Sequence, residues 1–212
     1  MQTMTELALE QSRDGVFTRE QAATWVDGSV ARLDALLKRA VAHGEVVRIR
    51  RGFYCLSDRY QRRRPFHPMD LASLIYGRSY ISLESALSFH GWIPEAVPII
   101  TSVTLERSKA FDTPVGRFTF DRVPQDDLFA GVEEIPAGAG SFRLATPLKA
   151  LADLVYVQKH DWKSVDPVLG SLRVEEEDLA EVNREQLEMV RKVYRSSRIL
   201  RFLDGLQRDL GL

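Results

Sequence analysis

The sequence predicts an α+β fold, in which a small N-terminal domain is followed by a larger mixed α/β domain with a helical C-terminal tail. The 212 residues exceed the usual size of one domain, about 100 to 150 residues. Short helical patterns separated by turn signals fill the first part of the chain, whereas strand and helix patterns alternate later. Hydrophobic residues make up 44% of the chain and charged residues 28%, which is typical of a globular protein.

Three helices are predicted near the N-terminus. The first helix is predicted over residues 5–13. Thr18 and Gln21 have the Thr-x-x-Gln spacing of a capping box, so a second helix is predicted over residues 19–26. Ser29 is placed to cap a third helix after a short turn. A helix, a three-residue turn and another helix have the spacing of a helix-turn-helix.

The third helix, residues 30–43, has the pattern of a recognition helix. Its apolar face is predicted to be core and consists of Val30, Leu33, Leu36, Leu37, Ala40 and Val41. Its opposite face carries Ala31, Ala35 and Ala42, flanked by Arg32, Lys38 and Arg39. Small side chains let a helix lie deep in the DNA major groove, about 12 Å wide, while flanking cations reach phosphates or guanine edges. The alternative is a solvated basic helix face.

A basic hairpin follows in the segment GEVVRIRRGFYCLS. Two short strands flank a turn at residues 50–52, where Gly52 supplies the positive φ of a tight turn. Arg48 and Arg50 are two residues apart and are predicted to share one strand face. A basic wing tip usually binds backbone phosphate or the minor groove. The sequence therefore predicts a DNA-binding winged helix-turn-helix, and the predicted contacts are Ser29, Arg32, Lys38, Arg39, Arg48, Arg50 and Arg51. The alternative is a winged-helix module that binds protein.

Charge is distributed unevenly although the net charge is only −1. Residues 32–64 contain ten Lys or Arg and three Asp or Glu, whereas the chain from residue 65 onward is acidic overall. Only the N-terminal part therefore resembles a phosphate-binding surface. We predict a winged helix-turn-helix domain over residues 1–60, a basic, proline-containing linker over 61–68, and a larger domain over 69–212. The linker arginines either add nonspecific DNA affinity or are solvated.

The larger domain is predicted as mixed α and β. The predicted helices are 69–76, 83–90 and one that begins at Pro147; the predicted strands are 97–105, 115–121 and 142–145. In the tail, one helix begins among the acids 175–178, and another spans residues 184–210 with an interruption near Ser196-Ser197.

Four segments of this domain are SYISLESALSFHGWIPE, VPIITSVT, FDTPVGRFTF and LATPLKALADLVY. In length and order they resemble the AbiEi antitoxin family of bacterial abortive-infection systems, and the resemblance covers most of residues 48–156. It implies an N-terminal winged helix-turn-helix that represses its own operon and a C-terminal antitoxin domain. It also implies an AbiEii-like nucleotidyltransferase toxin encoded next door. In that family the antitoxin is usually classed as acting without a stable toxin complex, so direct contact is doubtful.

The sequence predicts no enzyme. The candidate catalytic side chains are Ser82, Glu84, Ser85, His90, Asp112 and Asp153. On a helix that begins at residue 83, Glu84 and His90 point in different directions, and Ser82 is better explained as an N-cap. The glycines of PAGAGSF lack the lysine of a phosphate loop, and the acidic runs lack strands that would hold two carboxylates around a metal pair.

The expected partner is double-stranded DNA, namely the chain's own promoter, with repeated half-sites if two copies bind together. No cofactor or metal is predicted, because the four histidines lack ligand spacing and the lone Cys55 is predicted as core. A cytoplasmic location is expected, since no stretch has the roughly 18 apolar residues of a membrane span.

An RNA-binding protein is a further alternative. Trp92, Tyr156 and Trp162 would then stack on bases, although their apolar neighbours in sequence favour core packing.

Overall fold

The computed structural model describes residues 2–12, 14–60, 67–95, 97–137 and 140–212. It confirms the predicted fold class, an N-terminal winged helix-turn-helix region followed by a larger α/β domain with a helical tail. The predicted linker, including its arginines at positions 62–64, lies mostly outside the described residues. The division into residues 1–60, 61–68 and 69–212 stays a prediction.

The N-terminal elements follow the predicted order. They are α1 Met4–Gln11, β1 Val16–Thr18, α2 Arg19–Trp25, α3 Val30–Ala42, β2 Val46–Arg50 and β3 Phe53–Leu56. Both predicted N-caps are present, because the Thr18 side chain accepts from the Gln21 amide and the Ser29 side chain accepts from the Arg32 amide. Strand β1 was not predicted; three residues are too few for an alternating pattern to be recognised.

One face of α3 packs in the N-terminal core, through Leu33, Leu36, Leu37 and Ala40. Val30 and Val41 were predicted to join this face, and that prediction was wrong: their relative exposures are 66% and 37%. At 100° per residue both lie at one margin of the buried stripe. The stripe is narrower than the apolar pattern because two short helices and a small sheet cover it.

The three-stranded sheet of the wing, in the order β1-β3-β2, is buried on both faces. One face, with Phe17, Val46, Tyr54 and Leu56, packs on the helix-turn-helix. The other face carries Val16, Ile49, Phe53 and Cys55, which belong to the core of the larger domain. The wing is therefore a shared layer between the two parts of the molecule, and the predicted burial of Cys55 is confirmed.

The larger domain is built on a six-stranded sheet. Its elements are α4 Pro68–Ile75, β4 Ser79–Ile81, α5 Leu83–Phe89, β5 Ile99–Thr104, β6 Lys109–Thr113, β7 Gly116–Arg122, β8 Val132–Ala137, β9 Gly140–Ala145 and α6 Pro147–Val157. The strand order is β6-β7-β5-β4-β9-β8, with β4-β9 and β5-β7 parallel and the other neighbours antiparallel. Gly140 of PAGAGSF is the first residue of β9, which pairs with β8, and residues 138 and 139 lie outside the described residues.

Helix α6 lies at the centre of this domain, and its residues 148–155 are all buried. It contacts α5 and β9, and the tail helices cover it. The tail consists of α7 Asp166–Leu172, α8 Glu176–Ala180, α9 Arg184–Val193 and α10 Ser197–Asp209. The predicted interruption at Ser196-Ser197 is confirmed, since Ser196 is the N-cap of α10. Within the described part of the chain, no helix combines the length and apolarity that a membrane crossing requires.

Candidate nucleic-acid interface

The exposed face of α3 has small side chains at its centre and basic side chains at one flank. Ala31, Ala35 and Ala42 are exposed and lie opposite the buried stripe, with Lys38 beside them. Arg32 and Arg39 are also exposed and lie on the flank that faces away from Asp34. This is the arrangement that the sequence predicted for a recognition helix.

Two of the predicted contacts on α3 have partners within the protein. Ser29 caps the helix through its side-chain oxygen, 3.3 Å from the Arg32 amide nitrogen. The Arg32 guanidinium donates to the carbonyl of Asp27 at 2.8 Å, which ties it to the turn between α2 and α3. Lys38 and Arg39 form no ion pair with any residue that the structure describes. Lys38 and Arg39 are therefore the free cations of this helix, and Arg32 has a positioning contact as well.

The C-terminal end of α3 is held from two sides. The Arg59 guanidinium donates to the carbonyl of His43, the C-cap residue, at 3.1 Å. The Thr5 hydroxyl of α1 donates to the carboxylate of Glu45 at 2.7 Å, just before the wing. A cation at the helix C-terminus interacts favourably with the carbonyls exposed there. Arg59 thus holds the C-terminal end of α3 in place.

The wing places its arginines differently from the prediction. A bulge between Arg48 and Arg50 shifts the register, so that Arg48 pairs with Tyr54 and Arg50 pairs with Phe53. Residues directly opposite in an antiparallel pair share a face. Arg48 therefore lies on the helix-turn-helix face and Arg50 on the face of the larger domain, and the prediction of one shared face was wrong. A two-residue periodicity in sequence carries no sign of an extra residue in the strand.

The contacts of Arg50 agree with this assignment. Its guanidinium carbon lies 5.7 Å from the centre of the Phe53 ring, and its Nη2 donates to the carbonyl of Leu74 in α4 at 3.5 Å. Arg51 is exposed at the turn, where Gly52 has the predicted positive φ of 78°. None of the three wing arginines forms an ion pair within the described ranges. The wing thus carries cations on both faces and at its tip.

A buried polar network lies in the larger domain, away from these cations. The Asp153 carboxylate accepts hydrogen bonds from Tyr80 at 2.8 Å, Ser82 at 2.7 Å and Tyr194 at 2.5 Å. The Lys149 ammonium donates to Gln125 at 2.6 Å and to Tyr194 at 3.1 Å. Burial raises the pKa of Asp153 and lowers the pKa of Lys149. The network joins α6 to β4, to the start of α5 and to the end of α9.

This network changes the interpretation of Ser82. The side chain was predicted as an N-cap, but it makes no capping hydrogen bond and binds Asp153 instead. Lys149 was missed, although a Lys and an Asp four residues apart in the apolar run LKALADLVY are a recognisable signal of a buried pair.

The other catalytic candidates are separated from one another. Ser85 donates to the carbonyl of Ile99 at 2.9 Å, and the His90 ring nitrogen lies 2.9 Å from the carbonyl of Ala145. Among the residues with described contacts, no hydrogen bond joins His90 to Ser82 or Ser85. Asp112 is exposed and pairs with Arg117 at 3.6 Å. Ser85, His90 and Asp112 therefore do not come together in one site.

The three aromatic residues of the RNA-binding alternative are largely packed. Trp92 is buried. Trp162 stacks on His160 with ring centres 4.2 Å apart and packs edge-on against Phe202 of the tail. Tyr156 is half-buried at the end of α6. These contacts correspond to the core role that their neighbours in sequence favoured.

The N-terminal geometry agrees with a comparison against protein families. Residues 4–57 match the family described as "Transcriptional regulator, AbiEi antitoxin". The match spans the helix-turn-helix and the wing, and confirms the predicted AbiEi resemblance for this part of the chain. The four motifs on which that resemblance was based all lie beyond residue 57, where the resemblance stays a prediction.

The fold of the whole chain also has a counterpart among solved structures. The crystal structure of the RV2827C protein from Mycobacterium tuberculosis is similar, with a TM-score of 0.56 and 16% sequence identity. The similarity covers 98% of this chain and 76% of that one. At this identity it shows a shared fold, which includes both the N-terminal region and the larger domain. A comparison with curated proteins finds no significant match.

Proposed function

We propose that this chain is a DNA-binding transcriptional autorepressor and the antitoxin of a bacterial toxin–antitoxin system. The main support is a combination of two observations. The exposed face of α3 is lined with alanine, and the cations on α3 and the wing have no carboxylate partner among the described residues. The family similarity of residues 4–57 to transcriptional regulators of the AbiEi kind supports the same function.

In the proposed complex, α3 lies in the major groove and the wing contacts the adjoining backbone. Lys38 and Arg39 reach base edges or phosphates, whereas Ser29 and Arg32 fix the start of the helix. Arg48, Arg50 and Arg51 bind phosphates from both faces and the tip of the wing. Repeated half-sites follow if two copies bind the operator together.

The larger domain provides the antitoxin activity in this proposal. The functional partner is a nucleotidyltransferase-like toxin encoded nearby, and the chain counteracts it without forming a stable complex. The proposal includes no catalytic step, and the candidate side chains Ser82, Ser85 and His90 each bind a different partner.

Binding to the promoter upstream of the chain's own gene tests the DNA-binding part. Fluorescence anisotropy is measured with that duplex and with a random duplex of equal length, and a promoter–reporter fusion measures repression in cells. We expect tighter binding to the promoter duplex and repression by the wild type. Equal affinity for both duplexes, together with an unrepressed reporter, contradicts the proposal.

The antitoxin part is tested separately by co-expression. The neighbouring nucleotidyltransferase gene is induced with and without this chain, under a promoter that the chain does not control. Growth rescue by an Arg39→Ala variant, which is expected to lose repression, supports neutralisation that is independent of DNA binding. Growth arrest in the presence of the wild-type chain contradicts the antitoxin assignment.

A further inference from the structure

Exposed cations also lie beside the wing on the edge of the six-stranded sheet. Strand β6 forms this edge and contacts the wing strand β2. Lys109 is the first residue of β6, and Arg107 precedes it by two positions; both are exposed. No function was assigned to either residue from the sequence.

The end of helix α4 brings these cations close to the wing. The Arg50 guanidinium donates to the carbonyl of Leu74. The Lys109 ammonium lies 4.8 Å from the centre of the Tyr76 ring, and the Tyr76 hydroxyl donates to the carbonyl of Arg107 at 3.0 Å. Leu74 and Tyr76 are two residues apart, a separation of at most about 7 Å between their Cα atoms. The basic wing and the basic sheet edge therefore meet at one place.

Positive charge exceeds negative charge in this segment, since residues 105–109 contain two cations and one acid. Neither Arg107 nor Lys109 forms an ion pair with a residue in the described ranges. The carboxylate adjacent to them in sequence is Glu106, which is exposed and likewise has no described ion pair. The carbonyls at the end of α4 attract cations, which accounts for the position of Arg50. This attraction does not explain why Arg107 and Lys109 are also placed nearby.

We propose that a duplex bound by the wing continues along this edge, so that Arg107 and Lys109 bind phosphates of the DNA that flanks the half-site. This inference rests on the proposed function, because it extends the same duplex. Continuity with the wing and the sign of the charge identify the occupant as duplex DNA. A duplex carries one negative charge per about 1.7 Å of axis, so phosphates are available at the spacing of these side chains.

The proposed contacts predict a specific loss of phosphate binding. The affinity of the full chain for its promoter duplex is measured across a series of salt concentrations, together with hydroxyl-radical footprints. For the double variant Arg107→Ala/Lys109→Ala, the slope of log K against log salt should decrease in magnitude by about 1.8, or about 0.9 for each lost phosphate contact. Protection of the flanking backbone should disappear, whereas protection at the centre of the half-site remains.

Matched variants distinguish the loss of these phosphate contacts from a general loss of positive charge and from a loss of folding. Arg184→Ala/Lys192→Ala removes two exposed cations from the tail helix α9 and should leave the slope unchanged. Lys109→Arg keeps the charge and should keep the slope. Arg107→Ala alone removes no described side-chain contact, so it reports on DNA binding even if the loss of Lys109 destabilises the fold.

The outcomes distinguish this inference from the function on which it rests. If the wild type binds the promoter duplex but Arg107→Ala and the double variant keep its slope and footprint, the extension is overturned and the wing interface stands. An equal decrease in slope for the α9 control also overturns the extension, because position then has no effect. A wild type that does not bind the promoter duplex refutes both.

Discussion

Asp34 of α3 accepts two hydrogen bonds from the guanidinium of Arg19, the first residue of α2: Nε lies 3.1 Å and Nη2 2.7 Å from the same carboxylate oxygen. The pair connects the two helices of the helix-turn-helix across their turn. Asp34 is also the one acidic residue within α3. It therefore contributes to the angle between the helices and places a negative charge at the margin of the proposed interface.

The charge of Asp34 should weaken DNA binding. Asp34→Asn keeps a hydrogen-bond acceptor for Arg19 but removes the negative charge, so affinity for promoter and random duplexes should rise together. A unit charge about 10 Å from a phosphate in water contributes about 0.4 kcal/mol, or about twofold in affinity. Anisotropy at low salt measures this. Both side chains are more than a third exposed, so loss of the ion pair should change the unfolding free energy little.

The matched control is Glu181→Ala, which removes an exposed acid between α8 and α9. It should leave DNA affinity unchanged. If Asp34→Asn and Glu181→Ala have the same effect, Asp34 does not lie at the interface.

Truncation of Ile49 should destabilise the whole molecule. Ile49 is 4% exposed and belongs to the core that the wing shares with the larger domain. Ile49→Ala should lower the unfolding free energy by about 2 to 5 kcal/mol, in one cooperative transition. Urea denaturation followed by circular dichroism measures this. Val41→Ala, at an exposed site on α3, should cost less than about 0.5 kcal/mol. Separate transitions for the two parts of the chain would show that the wing is not a shared layer.

Replacement of two helical glycines by alanine should change the stability of the protein in opposite directions. A Cβ at Gly205 in α10 would lie 2.1 Å from the carbonyl oxygen of Lys163, whereas a Cβ at Gly170 in α7 would meet no atom within 4 Å. Gly205→Ala should therefore destabilise the protein although alanine favours helix. Gly170→Ala should stabilise it by about 0.5 to 1 kcal/mol. Thermal unfolding of both variants checks this, and equal shifts in Tm would contradict the packing of α10 on residue 163.

The Cys55 thiol should remain protected while the protein is folded. Burial raises its pKa from 9.0 to about 12. Because the pKa is higher in the folded than in the unfolded state, this thiol contributes stability that is present below pH 9 and is lost as the pH rises toward 12. The unfolding free energy of the wild type should fall more steeply over that window than that of Cys55→Ala. A thiol reagent that labels the native protein at pH 8 as fast as the denatured protein would contradict this burial.

Much of the N-terminal region could be predicted from sequence because its signals are local. The capping residues Thr18 and Ser29, the period of α3 and the glycine of the wing turn each depend on neighbours within a few positions. The bulge at Arg48–Arg50 could not be predicted, because it depends on pairing with β3 and on the larger domain packed behind the sheet.

The larger domain was predicted less completely for a related reason. Strands β4, β6 and β8 were missed. Strand β4 has three residues, and the edge strands β6 and β8 carry exposed charges that obscure alternation. The partners of Asp153 come from β4, the start of α5 and the end of α9, so long-range packing alone brings that network together.

The salt dependence of promoter binding by Arg48→Ala/Arg51→Ala tests the central claim, that the wing and α3 bind a duplex. Arg48 lies on the helix-turn-helix face and Arg51 at the tip, and neither makes a described side-chain contact within the protein. The slope of log K against log salt should decrease in magnitude by about 1.8, while Arg184→Ala/Lys192→Ala keeps the wild-type slope. A wing variant with the wild-type slope and affinity would contradict the account.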